Sequence, residues 1–305
     1  MEQRLLLSIC INTYNRQKEF KQCLESIVRQ DGDLIKHGKK IEIVVMDDNE
    51  KENVKKIIKE YKTKNISISY IKSKNRLGMV RGIVKACEVA KGEYIWILSD
   101  DDMICSGGIV KVLQVIKNHK PDSILCNINH FKEDGNKIKV VKRNCLNLQK
   151  DILTKTNKQL FHFLETKFLY AVDWYTYAMS PTIISKKLFI KNKYTIEKYN
   201  GYSIFSYPQS ALRYYSHDDI FLYIISDPLI LFRVNNFLWQ STNELKTVID
   251  YNKCANNFWD NVFKIQPQNI SFKLKLLVGI RKIIRIIGII FIYLKEILRR
   301  FFLSD

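Results

Sequence analysis

The sequence predicts an α/β fold, a mostly parallel sheet flanked by helices, followed by a basic amphipathic helical tail. Three observations carry this. Short apolar runs alternate with amphipathic stretches through the first half of the chain. Polar turns follow three of those runs. From Ser271 to Leu303 the composition shifts to Lys and Arg scattered among Ile, Leu and Phe. Strands separated by helices pair in parallel through crossovers, and the helices cover both faces of the sheet.

The elements follow in order. Leu5 to Ile11 reads as a buried strand, and Asn12-Thr13-Tyr14-Asn15-Arg16 as the polar turn that ends it. A helix is predicted from about Gln17 to Gln30, with Phe20, Leu24, Ile27 and Val28 on one face. Ile41 to Met46 is a second strand, ended by Asp47-Asp48-Asn49. A Lys/Glu-rich helix then buries Val54, Ile57, Ile58 and Tyr61. Ile66 to Ile71 is a third strand, Asn75-Arg76-Leu77-Gly78 a turn, and a helix crosses Val80, Val84, Ala86 and Val89 before stopping at Lys91-Gly92. The fourth strand is Tyr94 to Leu98, and Ser99-Asp100-Asp101-Asp102 follows it. Ligands of such sheets gather at the carboxyl ends of strands, where three of these polar turns lie.

Three adjacent carboxylates repel one another and are costly if dry and unpaired. A hard divalent cation, Mn²⁺ or Mg²⁺, removes that cost, and substrate phosphates usually complete its shell. Asp100, Asp101 and Asp102 are therefore candidate metal ligands. The competing reading is an acidic turn in which Asp102 caps the next helix.

Four motifs give the first half a strong resemblance to the family 2 glycosyltransferases of GT-A fold, transferases that use nucleotide sugars. They are Ile11 to Arg16, Val44-Val45-Met46-Asp47-Asp48, Asn75 to Gly78 with Arg81, and Ile97 to Asp102. They stand in family order across roughly residues 5–110. The resemblance implies that Thr13, Asn15 and Arg16 line the nucleotide pocket. It implies that Asp48 or Asp47 accepts a hydrogen bond from base or ribose. Arg76 and Arg81 would face the diphosphate or, with Gly78, shape its loop, and the aspartates would hold the metal. Many relatives read Leu-Asp-x-Asp-Asp at the acidic strand end. Here Ser99 stands where the first Asp would be, and Asp100, the extra carboxylate, could take over a ribose or metal contact. The implied chemistry is a single inverting displacement at the anomeric carbon, with a carboxylate taking the acceptor proton.

The second half is less explicit. Ser180 to Phe189 resembles the strand and helix start that precede the acceptor segment in relatives, and Asp227 to Arg233 a closing strand. The usual Glu-Asp base pair would fall near Pro208-Gln209, which cannot act as bases. Asp218 and Asp219 are base candidates, as is Asp173, with Glu197 weaker; a helix cap or an exposed turn is the other reading of Asp218-Asp219. Tyr170, Trp174, Tyr175, Tyr177, Tyr202, Tyr207, Tyr214 and Tyr215 suggest either an acceptor groove or an aromatic core.

At 305 residues, the chain fits a donor-binding half over 1–110, an acceptor-binding half over 111–245 and a helical extension over 246–305. Seven cysteines without a C-x-x-C pair suggest reduced thiols in the cytosol. The first residues lack the long apolar core of a signal peptide. The net charge of +19 exceeds what one diphosphate needs. The tail from Ser271 to Leu303 offers a reason, because a basic, highly apolar helix lies in a membrane interface and attracts anionic headgroups. Its longest uncharged run, Ile286 to Leu294, is too short to span a bilayer. The alternative is a helix packed on the domain or on a second subunit, so a homo-oligomer stays open. The expected partners are a nucleotide sugar (UDP by family frequency), a glycan or lipid-linked glycan acceptor, and the inner face of the cytoplasmic membrane. The expected setting is the assembly of bacterial polysaccharide, lipopolysaccharide or glycoprotein glycans. Nucleic-acid binding has only charge and aromatic content in its favour. A sugar nucleotidyltransferase would carry a Gly-rich first turn, which is missing here. A non-catalytic donor-binding or membrane scaffold protein remains the third alternative.

Overall fold

The computed structural model describes residues 5–36, 40–48, 54–61, 63–135, 137–167, 179–199 (backbone alone from 194), 216, 218–234, 256–257, 259–284 and 286–287. One mixed ten-stranded sheet runs through both halves of the chain, in the order β3-β2-β1-β4-β9-β6-β10-β5, with β7 on β6 and β8 on β10. The strands are β1 (Leu7–Thr13), β2 (Ile41–Asp47), β3 (Ile66–Lys72), β4 (Tyr94–Ser99), β5 (Met103–Ile104), β6 (Ser123–Asp134), β7 (Lys137–Lys142), β8 (Ile152–Thr154), β9 (Thr182–Ser185) and β10 (Leu222–Arg233). The helices are α1 (Gln17–Val28), α2 (Asp31–Lys36), α3 (Val54–Lys59), α4 (Met79–Val89), α5 (Gly108–His119), α6 (Asn157–Lys167) and α7 (Lys186–Tyr199).

Pairing is parallel across β3-β2-β1-β4, as the alternation of strands and helices predicts. β9 then enters antiparallel between β4 and β6, and β10 pairs parallel with β6. Two antiparallel steps restore the original direction. Hence β1, β2, β3, β4, β6 and β10 all run one way, and their carboxyl ends share one edge of the sheet. A short hairpin or loop connection cannot join parallel neighbours, which is why helices intervene in the first half.

The central strands β1, β2 and β4 are buried on both faces. In β1, Leu7, Ile9 and Ile11 point into one apolar layer, while Cys10 points into the other. The first layer packs against Phe20, Leu24 and Ile27 of α1 and Val112, Leu113 and Ile116 of α5. The second packs against Ile83, Ala86 and Cys87 of α4 and Leu188 and Phe189 of α7. A fully buried Ile or Leu of this kind contributes about 1.5–3 kcal/mol. The apolar spacing read for the first helix thus fixed which face of α1 is covered. Residues 259–265 and 272–284 are also helical, and they close the first layer through Trp259, Val262, Leu274 and Val278. Among the described residues no helix is long and apolar enough to cross a membrane. Six described cysteines are free thiols, five of them buried.

Candidate active site at the strand edge

The shared carboxyl edge collects the polar turns. β1 ends at Thr13, and the chain reverses through Asn15, whose φ of 53° is left-handed, a conformation that Asn tolerates better than most residues. The reversal brings Arg16 back across the end of β4. Its guanidinium lies 2.5 Å from Asp101 Oδ2 and 3.3 Å from Asp100 Oδ1. Burial works against the charged guanidinium, but Asp101 and Asp100 outweigh it and raise its pKa. Burial also pushes the Asp100 carboxyl up to about 7, with Asp101 adding to the rise, while Arg16 and the Thr13 hydroxyl pull it back. A pair of carboxylates is therefore held here against a cation supplied by the chain itself.

The third aspartate is used differently. Asp102 is 1% exposed, and both of its oxygens are engaged: Oδ2 accepts from the Ser180 hydroxyl at 2.5 Å and Oδ1 from the Arg233 N–H at 2.8 Å. Burial holds its pKa well above the usual carboxylate range. Asp102 ties the acidic turn to the turn before β9 and to the end of β10. Asp100 and Asp101 face the side where Arg16 sits.

Several residues that sequence reasoning did not single out as site residues fix Asp101. The Ser99 hydroxyl, at the position where relatives carry an aspartate, donates to Asp101 Oδ1 at 2.6 Å. The Ser99 N–H in turn donates to Ser180 Oγ at 3.0 Å. Arg233, at the end of β10, donates from Nε to the Asp101 carbonyl at 2.9 Å and from Nη2 to Gln22 Oε1 at 2.5 Å. Its Nη1 meets Glu133 at 3.1 Å, and the guanidinium stacks 4.6 Å from the Phe131 ring centre. Hydrogen bonds from Lys18 and Gln22, with Arg233 assisting, hold the Glu133 carboxyl down at about 2. One buried arginine thus joins α1, β6, β10 and the acidic turn. The sequence signal was available in the charged residue closing the apolar run Leu229 to Phe232.

The second polar turn packs beside the first. Asp47 and Asp48 are both buried. Asp48 accepts the N–H groups of Leu77 and Gly78, at 2.5 and 2.9 Å. Gly78 has a φ of 81°, which other residues rarely adopt, so the turn into α4 depends on glycine. Asp47 accepts the Tyr70 hydroxyl at 2.6 Å and lies 3.9 Å from Lys72 Nζ. Arg76 is exposed and stacks 4.1 Å above the Tyr14 ring, so the Asn75–Gly78 turn and the Asn12–Arg16 turn touch. Arg81 is exposed on α4. The structure therefore assembles Thr13, Asn15, Arg16, Asp48, Arg76, Gly78, Asp100 and Asp101 at one edge.

The base candidates lie elsewhere or outside the described residues. Asp218 is exposed and ion-paired with Lys191. Asp219 accepts the Asn157 N–H at 2.8 Å, at the start of α6. Both precede Leu222, at the amino end of β10, whereas Arg233, at its carboxyl end, touches the acidic turn. Twelve strand residues separate the two ends, a span of roughly 35–40 Å. Asp173, the Glu197 side chain and all eight of the aromatic residues named above lie outside the described residues.

Among the described residues, no three His, Cys, Asp or Glu side chains converge into a metal cage. Two hard carboxylates without a complete ligand set suit a cation that keeps several ligands from water and substrate phosphate. The guanidinium already lodged between them shows that the pair accepts positive charge at that point. The residues present fit Mn²⁺ or Mg²⁺.

Residues 8–178 match the family model described as glycosyl transferase family 2. The chain is 25% identical to the abequosyltransferase RfbV of Salmonella typhimurium over 276 residues, 88% of this chain and 78% of that protein. It is 29% identical over 109 residues to a GalNAc(5)-diNAcBac-PP-undecaprenol beta-1,3-glucosyltransferase of Campylobacter jejuni, 35% of this chain and 33% of that one. Among solved structures, S. aureus TarS 1-349 in complex with UDP-GlcNAc superposes with a TM-score of 0.60 at 14% identity, over 86% of this chain and 68% of that one. The mannosyltransferase PcManGT of Pyrobaculum calidifontis, in complex with GDP-Man and Mn2+, gives 0.54 at 11% identity, over 92% and 70%. At such identities the superpositions establish the fold alone.

Proposed function

Because the chain belongs to glycosyl transferase family 2, we propose that it moves a sugar from a nucleoside-diphosphate sugar to a hydroxyl of a glycan acceptor, with inversion at the anomeric carbon. The observation that carries this reading is the Asp100–Asp101 pair, closed by Arg16 at the edge where β1, β2 and β4 end. A UDP-sugar is the first donor to test, since TarS is complexed with UDP-GlcNAc. A lipid-linked glycan is the acceptor suggested by the undecaprenol-linked substrate in the Campylobacter protein's name. That acceptor would place the enzyme as a peripheral protein on the inner face of the cytoplasmic membrane, in surface-glycan assembly. Residues 1–110 would form the donor half, 111–245 the acceptor half and 246–305 a membrane-side extension.

The residues divide the work as follows. Asp101, oriented by Ser99, and Asp100 would hold the divalent cation. When bound, Mn²⁺ or Mg²⁺ would offset the negative charge that builds on the departing diphosphate. Asp102 and Arg233 keep the acidic turn fixed, so that little reorganisation is needed during reaction. Asp48 fixes the Leu77 and Gly78 amides, and with them the loop that carries Arg76 toward the donor. Asp173 is the favoured acceptor base. It lies seven positions before Ser180, whose hydroxyl touches the acidic turn, whereas Asp218 and Asp219 sit at the far end of β10.

The direct test uses purified protein with UDP-, GDP-, CDP- and dTDP-sugars, with Mn²⁺ or Mg²⁺ and with EDTA. One nucleotide sugar should bind in a metal-dependent way and release nucleoside diphosphate slowly. Failure to bind any of them would remove the transferase reading and favour a scaffold. A second test concerns Arg16, which occupies the place a cation would take. Arg16→Gln should bind Mn²⁺ about tenfold more tightly than wild type in the absence of nucleotide, by electron paramagnetic resonance, because the carboxylates lose their resident counter-charge. Unchanged or weaker Mn²⁺ binding would show that Arg16 and the metal do not compete.

A further inference from the structure

The C-terminal helix is apolar on two opposite faces. At 3.6 residues per turn, Leu274, Leu277 and Val278 form one face and pack into the first apolar layer of the sheet. Phe272, Leu276, Ile280, Ile283, Ile284 and Ile287 form another, centred roughly opposite the first, and all six are exposed, Phe272 at 81%. A helix that only covers a globular core presents polar residues outward. Exposed apolar surface of this extent marks an interaction face.

The charges around this face select what covers it. Residues 271–287 hold five basic residues, Lys273, Lys275, Arg281, Lys282 and Arg285, and no acidic one. Two of the lysines are tied back to the domain, Lys273 to Glu165 at 3.3 Å and Lys282 to Asp260 at 2.6 Å. These pairs fix the rotation of the helix on the domain, while Lys275 stays exposed beside the apolar face. Five basic residues against two acidic partners leave the helix with a net positive charge, which a second copy would bring against itself. An anionic lipid surface instead receives the apolar residues among its acyl chains and the lysines among its headgroups. We propose that this outer face, from Phe272 to Ile287, is the surface by which the protein docks on an anionic bilayer, with the helix lying in the plane of the interface. The proposal deepens the membrane-side reading given above by naming the contact, and it does not depend on which sugar is transferred.

The test is co-sedimentation of the full-length protein with phosphatidylcholine vesicles, with and without phosphatidylglycerol, at low and raised salt. Wild type should sediment with the anionic vesicles, and raised salt should weaken this. A triple variant, Leu276→Gln, Ile283→Gln and Ile287→Gln, should lose more than about tenfold in partitioning. All three sites are exposed, so the fold should persist, and circular dichroism with light scattering checks this. Lys275→Gln should cost about fivefold. Ile138→Gln, at an exposed site on β7, should cost nothing. Wild type without preference for anionic vesicles, or a triple variant that binds as well as wild type, would overturn the proposal. So would a wild-type dimer that the triple variant converts to monomer, since a second copy would then own the face. Nucleotide-sugar binding is measured in parallel without vesicles. Its absence in wild type would remove the transferase reading and leave the lipid contact standing.

Discussion

Asp101→Ala should lower metal-dependent turnover by about 10²–10³-fold, on the scale of losing one preorganised electrostatic contact to the leaving group. The fold should survive. Asp101 is partly exposed, and its partners are Ser99 and Arg16, whose polar atoms water can reach once the carboxylate is gone. Asp102→Ala is the informative contrast. It removes the acceptor for the Ser180 hydroxyl and for the Arg233 N–H inside a buried turn, leaving donors without partners at a cost of about 1–3 kcal/mol each. The first variant should therefore show a near-normal urea midpoint with lost turnover and weakened Mn²⁺ binding. The second should show a lowered midpoint. Full turnover in Asp101→Ala would remove the metal assignment. Equal loss of stability in both variants would mean that the triplet acts only as a structural turn.

Gly92→Ala should be the most damaging single methyl added to the fold. Gly92 joins α4 to β4, and its N–H donates to the Ser8 hydroxyl at 2.7 Å. A Cβ there would stand 2.6 Å from the Ser8 nitrogen and 2.7 Å from the Leu7 carbonyl carbon. Both are backbone atoms of β1, held by pairing to β2 and β4, so neither can swing aside as the end of a side chain would. The expected loss is about 3 kcal/mol, at the upper end of overpacking costs, read from equilibrium urea denaturation. Gly32→Ala is the control, because nothing lies within 4 Å of its added Cβ. Equal midpoints in the two variants would show that β1 can shift to make room.

Much of the first half could be read from the chain. Runs such as Ile41 to Met46 and Tyr94 to Leu98 have one physical solution, a strand buried on both faces, and their spacing by amphipathic helices forces parallel pairing. The expected second strand, Ile41 to Met46, extends only to Asp47 in the structure. The first is shifted, from Leu5–Ile11 to Leu7–Thr13, because pairing continues through Asn12 with β4 and through Thr13 with β2, which the apolar pattern does not mark. The second half was harder because its partners are remote in sequence. Nothing near Thr182 announces that β9 will run antiparallel between β4 and β6. Asp218 and Asp219 resemble a catalytic pair only while the direction of β10 is unknown.

The sequence alone determined the kinds of elements and the chemistry available at their ends: turns rich in Asn, Arg and Asp after apolar strands, and a tail too interrupted by charge to span a bilayer. Local periodicity and composition suffice for that, since each depends on neighbours within a turn or a strand. Tertiary structure decided how that chemistry is shared out. Of three adjacent aspartates, one braces Ser180 and Arg233, and two meet Arg16, which lies more than eighty positions away. It also decided which side of the C-terminal helix is covered, leaving a second apolar face turned outward. Those outcomes rest on contacts between distant segments, where burial and hydrogen-bond geometry, rather than residue type, choose between equally acidic or equally apolar neighbours.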